Sequence, residues 1–283
     1  MIKSYVIASP YRDVNQMTKA FADAGLDLEI FPAVWGDSLN PEDIASSIEI
    51  EGTRALIGWE FATNRQMACA LSHHGVYEKA FNSKCDWVLV LEDDVHISKE
   101  FLKTISNFNF EFANPTVISF FSRGKRFVQR EKVKDINNSS LFECLIPPGQ
   151  AAAYMVNRKA LETIMKFPKI SGLADWPRWS RYCDFYLAYP WLVKEDATGS
   201  LIPIPPLSKR RYWTWRVGTI SGFGFYRDKK FFQDFSEYYF WHIKPWILRI
   251  KLKLGFFGPI SSSDPEGIWI SKWPLLNQFR RIK

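Results

Sequence analysis

Residues 86–95 read DWVLVLEDDV. From Trp87 to Leu91 every residue is apolar, where a half-buried strand would alternate with polar residues. A strand that is apolar on both faces belongs inside a parallel sheet covered by helices on both sides. The run stops at Glu92, Asp93 and Asp94. Ligands of open α/β sheets bind beyond the C-terminal ends of the strands. Three carboxylates at that point are therefore either a solvated strand end or the wall of a site. Alternation along an extended chain predicts Glu92 and Asp94 on one side. There they repel each other unless a cation or solvent compensates. Mg²⁺ and Mn²⁺ suit such carboxylates together with water and phosphate. A nuclease or a hydrolase could use the same pair.

Outward from this strand, the preceding segment Thr63-Asn64-Arg65-Gln66 has the form of a capping box, which predicts a helix to about Ala80 or Phe81. Ser4 to Ala8 (SYVIA) reads as a buried first strand. Asp13 to Ala24 reads as a helix with Asp13 as N-cap and Gly25 as the stop. Leu28 to Val34 is a second strand, weakened by Pro32. Residues 36–62 lack periodicity and predict a loop with short helical turns. Later strands are expected at Thr116–Phe121, Phe142–Ile146, Ala151–Val156 and Ser200–Ile204, with a helix over Arg158–Lys166. Strands alternating with helices predict an α/β fold with a mainly parallel central sheet.

The 283 residues carry 37 Lys and Arg against 30 Asp and Glu, a net charge of +7. From Lys209 onward there are 15 basic and 5 acidic residues, so the excess lies in the tail. Such asymmetry points to an anionic partner: membrane, nucleic acid or an acidic glycan. Aromatics reach 16%, with 12 Trp, a composition shared by sugar sites, membrane interfaces and ordinary cores. The four cysteines, at 69, 85, 144 and 183, form no CxxC pair, so zinc is not expected and reduced thiols in a cytosolic protein are. The opening MIKSYVIASPYRD is too short an apolar run for a signal peptide. No P-loop, GxGxxG or GxSxG occurs, which leaves kinase, dehydrogenase and esterase readings without support.

ACALSHHGVYEKAF at 68–81, followed by DWVLVLEDDV, resembles the signature of glycosyltransferase family 25, which includes lipooligosaccharide galactosyltransferases. GQAAAYMVNRKALE at 149–162 is similar to the family's small-residue strand that ends in Tyr and leads into a helix. The resemblance covers roughly residues 1–176. It implies a GT-A type fold, a UDP-sugar donor, inversion at the anomeric carbon, and Mn²⁺ or Mg²⁺ on Glu92 and Asp94 as the counterpart of a DxD motif. It places Ile7, Ala8, Ser9 and Arg12 of the opening strand at the donor, with Ser72, His73 and Asp93. It maps a later acidic residue of the family onto Asp175.

Other residues carry weaker signals. Arg65 in the first helical turn could reach a diphosphate, though a cation there opposes the helix dipole. Gly149 and Gln150 precede three alanines; Gln150 could bond sugar hydroxyls, or the pair could simply open a tight strand. An inverting transfer needs a carboxylate near the acceptor hydroxyl. Asp175 and Asp184, in DWPRWSRYCD, are the two choices, with Trp176 and Trp179 as sugar platforms; a surface loop tied by Arg178 and Arg181 is the plain reading. The expected organisation is a catalytic domain over residues 1–205 and a basic, aromatic region over 206–283. Within the latter, YYFWHIKPWILRIKLKLGFF (238–257) suits the cytosolic face of an anionic membrane, where a glycolipid acceptor would sit. Two other classes compete: a glycoside hydrolase with paired carboxylates, and a nucleic-acid-binding protein using KRRYWTWR (209–216).

Overall fold

The computed structural model describes residues 1–49, 63–122, 126–145, 147–170, 174, 177–196, 247, 257–259 and 268–271. The expected strand at Ser200–Ile204, the segment KRRYWTWR and all of 238–257 except Ile247 and Phe257 lie outside them.

The all-apolar stretch forms β3, Trp87–Glu92, third from one edge of a sheet of ten strands among the described residues. β1, Ile2–Ala8, pairs parallel with it, and β2, Glu29–Pro32, pairs parallel with β1 at the edge. Pro32 is tolerated because it ends an edge strand. On its other side β3 meets β8, Ala153–Asn157, in antiparallel register. β5 (Thr116–Ser119), β9 (Asp184–Tyr189), β7 (Ser139–Cys144) and β6 (Arg126–Ile136) continue the sheet. β12, Ile268–Ser271, pairs parallel with β6, and β11, Phe257–Pro259, closes the far edge. β1, β2, β3, β5, β6, β9 and β12 run one way and only β7, β8 and β11 the other, so the sheet is mixed but mainly parallel. A small second sheet pairs β4, Val95–Ile97, with β10, Val193–Glu195.

Strand alternation divides the core into two layers. Val6, Leu89 and Leu91 point to the side of α1 (Asn15–Asp23) and α4 (Lys99–Ser106), where Met17, Phe21, Phe101 and Ile105 cover them. Tyr5, Ile7, Val88 and Val90 point to the opposite side. There α3 (Asn64–Asn82) and α5 (Arg158–Ile164) contribute Val76, Tyr77, Ala80, Leu161 and Ile164. Trp87 to Leu91 is almost fully buried, as its all-apolar sequence requires.

The capping box of α3 forms as predicted: Thr63 Oγ1 accepts from the Gln66 amide and Gln66 Oε1 accepts from the Thr63 amide. Gly25 stops α1 with φ +70°. The other end of α1 differs from expectation. Val14 occupies the N-cap, and Asp13 instead accepts from the Asn15 amide at 2.8 Å. Residues 36–62, expected as a loop with short turns, contain a 3₁₀ turn at Gly36–Ser38 and α2 at Pro41–Ser47, capped by Asn40. β6 escaped prediction because its charged sequence RFVQREKVKDI has no strand-like alternation. Among the described residues no helix is long and apolar enough to cross a membrane.

Candidate active site

β1 and β3 end side by side, with Ile7 opposite Glu92. Beyond their ends lies an open cleft with about 630 Å³ of empty space, solvent at its mouth included. Ile7, Ser9, Arg12, Arg65, Ser72, His73, Glu92, Asp93 and Asp94, nine of the residues singled out in the sequence, all line it. The rest of the wall is Ala33, Val34, Trp35, Gly36 and Cys69.

Each carboxylate of the acidic triplet has a different environment. Glu92 is the last residue of β3 and shares the parity of Val88 and Val90, so it faces α3. Its Oε1 lies 3.1 Å from His73 Nε2 and 3.9 Å from Cys69 Sγ. The strand then ends and Asp93–Asp94 form a turn, so the alternation expected to align Glu92 with Asp94 does not operate; the turn brings both to the cleft. Asp93 is engaged within the protein: one oxygen accepts from the Ser9 amide at 2.7 Å, the other lies 3.6 Å from Arg12 Nε. Asp94 Oδ1 is buried without a hydrogen-bond partner. Burial first, then the charges of Glu92, Glu195 and Asp93, push its carboxyl up to about 7, against the opposing pull of Arg12.

Glu195 went unnoticed in the sequence. It stands on β10, opposite Val95 on the strand that follows the acidic turn, and the Asp196 amide bonds the Asp94 carbonyl at 2.7 Å. No local pattern signals it; only the pairing of β4 with β10 brings it in. Gln150 donates to Glu195 Oε2 at 3.3 Å from a left-handed backbone, φ +69°. Gln150 thus sits behind the carboxylates, with its own Oε1 buried and unbonded. The Gly149 carbonyl accepts from Ser122 Oγ. Ser9 Oγ is the third buried side-chain atom lacking a partner among the described residues. All three such atoms belong to this neighbourhood, which is the condition expected of a site built to receive a polar ligand.

Trp35 and Gly36 form the opposite wall. Asp37 holds Arg65 at 3.1 Å and accepts from Trp35 Nε1, and the Arg65 guanidinium lies over the Trp35 ring at 5.2 Å. The Arg65 hydrogen bond holds the Asp37 carboxyl below its usual range. This pairing supplies what the helix dipole does not. A Cβ on Gly36 would lie 2.5 Å from the Arg65 amide nitrogen, so only glycine lets the 3₁₀ turn meet the start of α3. Ser72 acts as a tether in the cleft wall: it donates to the Ala68 carbonyl and accepts from the Val34 amide, both at 2.8 Å. Ala8, nearly buried, bonds its carbonyl to the Ala33 amide.

His73 is buried and connected on both sides. Its Nδ1 lies 2.7 Å from the Tyr154 hydroxyl, which meets Tyr77 Oη at 2.5 Å. Burial pushes both tyrosine hydroxyls up, so they remain protonated. With Tyr77 donating to Tyr154 and Tyr154 to Nδ1, Nε2–H donates to Glu92.

Ala8, Gly149 and Gln150 do not line the cleft, and Asp184 and Trp179 are also outside it. Asp184 opens β9, in register with Trp87 through Thr116 and Asn157, at the end of the strands opposite Glu92. Strand rise and spacing put the two about 20 Å apart. Asp184 instead accepts from Asn114 Nδ2 at 2.8 Å. Trp179 is no sugar platform: it is buried edge-on against Tyr77. Asp175 and Trp176 lie outside the described residues, while Ala174 and Pro177 line a smaller cavity against His73 and His74.

A mixed, mainly parallel α/β sheet with its cleft at the carboxyl ends of β1 and β3 defines a ligand-binding α/β protein. The sequence profile of glycosyltransferase family 25 (LPS biosynthesis protein) matches residues 1–170. The chain belongs to glycosyltransferase family 25. It is 31% identical over 98 residues to a glycosyltransferase 25 family member of Aedes aegypti, covering 32% of this chain and 16% of that protein. A Drosophila pseudoobscura pseudoobscura member is 33% identical over 93 residues, 31% of this chain and 14% of its own length. One from Drosophila melanogaster is 25% identical over 131 residues, 44% and 21%. The matched stretch thus spans about a fifth or less of these relatives. Among solved structures, the chain is similar to a glycosyltransferase involved in the glycosylation of the major capsid of PBCV-1. That match is 14% identical and covers 58% of this chain and 64% of that one, at a TM-score of 0.27.

Proposed function

We propose that the chain is a metal-dependent, inverting glycosyltransferase that moves a sugar, galactose from UDP-galactose, onto a lipooligosaccharide or another surface glycan. The observation that carries this reading is Asp94: a buried carboxylate oxygen without a partner, facing a cleft shared with Glu92 and two arginines. Such a cluster of acids suits a hard divalent cation. Glu92 and Asp94 would hold Mn²⁺ or Mg²⁺, which when bound neutralises charge on a leaving diphosphate, with Glu195 adding negative charge beside Asp94.

The chain's own residues supply the rest. Arg12 and Arg65, both lining the cleft, would present positive charge to the phosphates. Asp93 fixes the loop after β1 through the Ser9 amide and Arg12. Trp35, with Tyr11 against it at 5.0 Å, offers a flat face for a base or a sugar. Asp175 is the proposed base that takes the acceptor's proton. The family profile's description as LPS biosynthesis supports a glycolipid acceptor. With such an acceptor, the basic tail would hold the enzyme peripherally on the cytosolic face of an anionic membrane.

The test is a panel of UDP-sugars incubated with the protein and Mn²⁺, read as slow donor hydrolysis. UDP-galactose should be turned over fastest and EDTA should stop it. Turnover unaffected by EDTA refutes the metal, and a different preferred sugar refutes galactose.

A further inference from the structure

Cys69 and His73 are one turn apart on α3, so their side chains lie on one face. That face meets the end of β3. Cys69 Sγ, a His73 ring nitrogen and a Glu92 carboxylate oxygen all lie within 4.8 Å of one another. Two edges of this triangle are 3.1 Å, from Nε2 to Oε1, and 3.9 Å, from Sγ to Oε1. Around a tetrahedral Zn²⁺, with bonds of about 2.0 Å to N and O and about 2.3 Å to S, those edges would be about 3.3 and 3.5 Å. These two edges need to change by only a few tenths of an ångström, and the third, from Sγ to the imidazole, lies within 4.8 Å.

The surroundings are those of a metal site. All three residues line the cleft, so a fourth coordination position would open onto it. The far nitrogen of His73 is bonded to Tyr154, itself bonded to Tyr77, which fixes the ring with Nε2 toward Glu92. Metal-bound histidines are oriented by such partners. At present two protons stand where a cation would: the Cys69 thiol and the imidazole N–H both point at Glu92 Oε1.

We propose that Cys69, His73 and Glu92 form a binding site for a thiophilic divalent cation of the Zn²⁺ class. A thiolate and an imidazole favour such an ion over Mn²⁺ or Mg²⁺. On binding, the thiol proton leaves to solvent and the imidazole proton moves from Nε2 to Nδ1. Tyr154 then accepts from Nδ1 and donates to Tyr77, whose own proton turns away. One proton is released per cation. Because Glu92 also belongs to the carboxylate set proposed for Mn²⁺, the two ions compete, and a Zn²⁺-class ion acts as an antagonist. The site itself does not depend on glycosyl transfer, so its test needs no donor and no activity.

Co²⁺ is the probe, added to the full metal-free chain and read by absorption. The expected result is a near-ultraviolet thiolate-to-metal charge-transfer band that saturates at one equivalent and is bleached by Zn²⁺. Cys69→Ser should abolish the band, whereas Cys144→Ser and Asp94→Asn should keep it. Tyr154→Phe should weaken Co²⁺ binding about 10-fold. Absence of the band from the folded native chain, or its survival in Cys69→Ser, overturns the proposal. If Cys69→Ser does not fold, the native chain decides. Zn²⁺ should slow alkylation of Cys69, mapped by peptide mass, and leave Cys144 unchanged. Equal Cys69 rates with and without Zn²⁺ would overturn the site.

Discussion

Asp94 concentrates the argument about chemistry. Its carboxyl is pushed from the ordinary 3.8 up to about 7 by burial and by neighbouring acids. A carboxyl raised on folding stabilises the protein only while protonated. Between pH 3.8 and about 7 the unfolded chain ionises first, so this group's contribution declines as pH rises through that window. Asp94→Asn removes the ionisation. In metal-free protein, the Tm of Asp94→Asn relative to native should therefore climb across the window and level off above it; a flat difference would mean that Asp94 is not strained by its neighbours. The same variant should lower glycosyl transfer by about 10² to 10³-fold, the equivalent of several kcal/mol of lost charge stabilisation. Native-level transfer by Asp94→Asn would remove it from the metal set. For the proposed base, Asp175→Asn keeps the shape and would remove the proton acceptor. Transfer should fall by about 10² to 10⁴-fold with donor affinity unchanged. Loss of donor affinity instead would assign Asp175 to the donor site.

α3 is the element that organises the cleft. Its capping box fixes where it starts, and the start places Arg65 against Asp37 and Trp35. Its middle places Cys69, Ser72 and His73 along the wall, and Ser72 ties it to the chain after β2. The contact that joins these pieces is Gly36 on the backbone of Arg65. In Gly36→Ala the methyl group would meet backbone rather than a flexible side chain, so the 3₁₀ turn must move away. Overpacking of this kind costs about 1–3 kcal/mol. The expected outcome is a lower Tm together with weaker UDP-sugar binding, measured by calorimetry. Donor binding equal to native would show that the Trp35 wall does not touch the donor.

The charge asymmetry belongs to the whole molecule. Lys244, Arg249, Lys251 and Lys253 follow a cluster of aromatics in the tail, and each basic residue near an anionic leaflet contributes about 1 kcal/mol. Full-length protein should float with anionic vesicles at low salt and release at high salt. Protein cut before Tyr238 should remain in solution. The cut also removes β11 and β12, which extend the sheet beyond β6, so its folding is checked by circular dichroism. Full-length protein that ignores anionic vesicles, or a truncated form that unfolds, would assign the tail to the core instead of the membrane.

Part of the candidate site is legible in the sequence because it is built from the ends of strands and a helix. An all-apolar strand must lie inside a covered sheet, and the residues after it must emerge at its carboxyl end, which places Glu92, Asp93 and Asp94 there. A capping box fixes a helix start, so Arg65 could be located too. Parity then aims Glu92 at whichever helix covers the face of Val88 and Val90. What local pattern could not supply was which distant segments meet there. Glu195 reaches Asp94 because β10 pairs with β4, some hundred residues away in sequence. Cys69, read as an ordinary thiol, joins His73 and Glu92 only when α3 packs on β3. Asp184, beside aromatic and basic residues in sequence, is carried by the register of β5 and β9 to the end of the strands opposite the cleft. Periodicity and caps are short-range consequences of backbone geometry, whereas pairing register and helix packing are settled by the burial of the whole core.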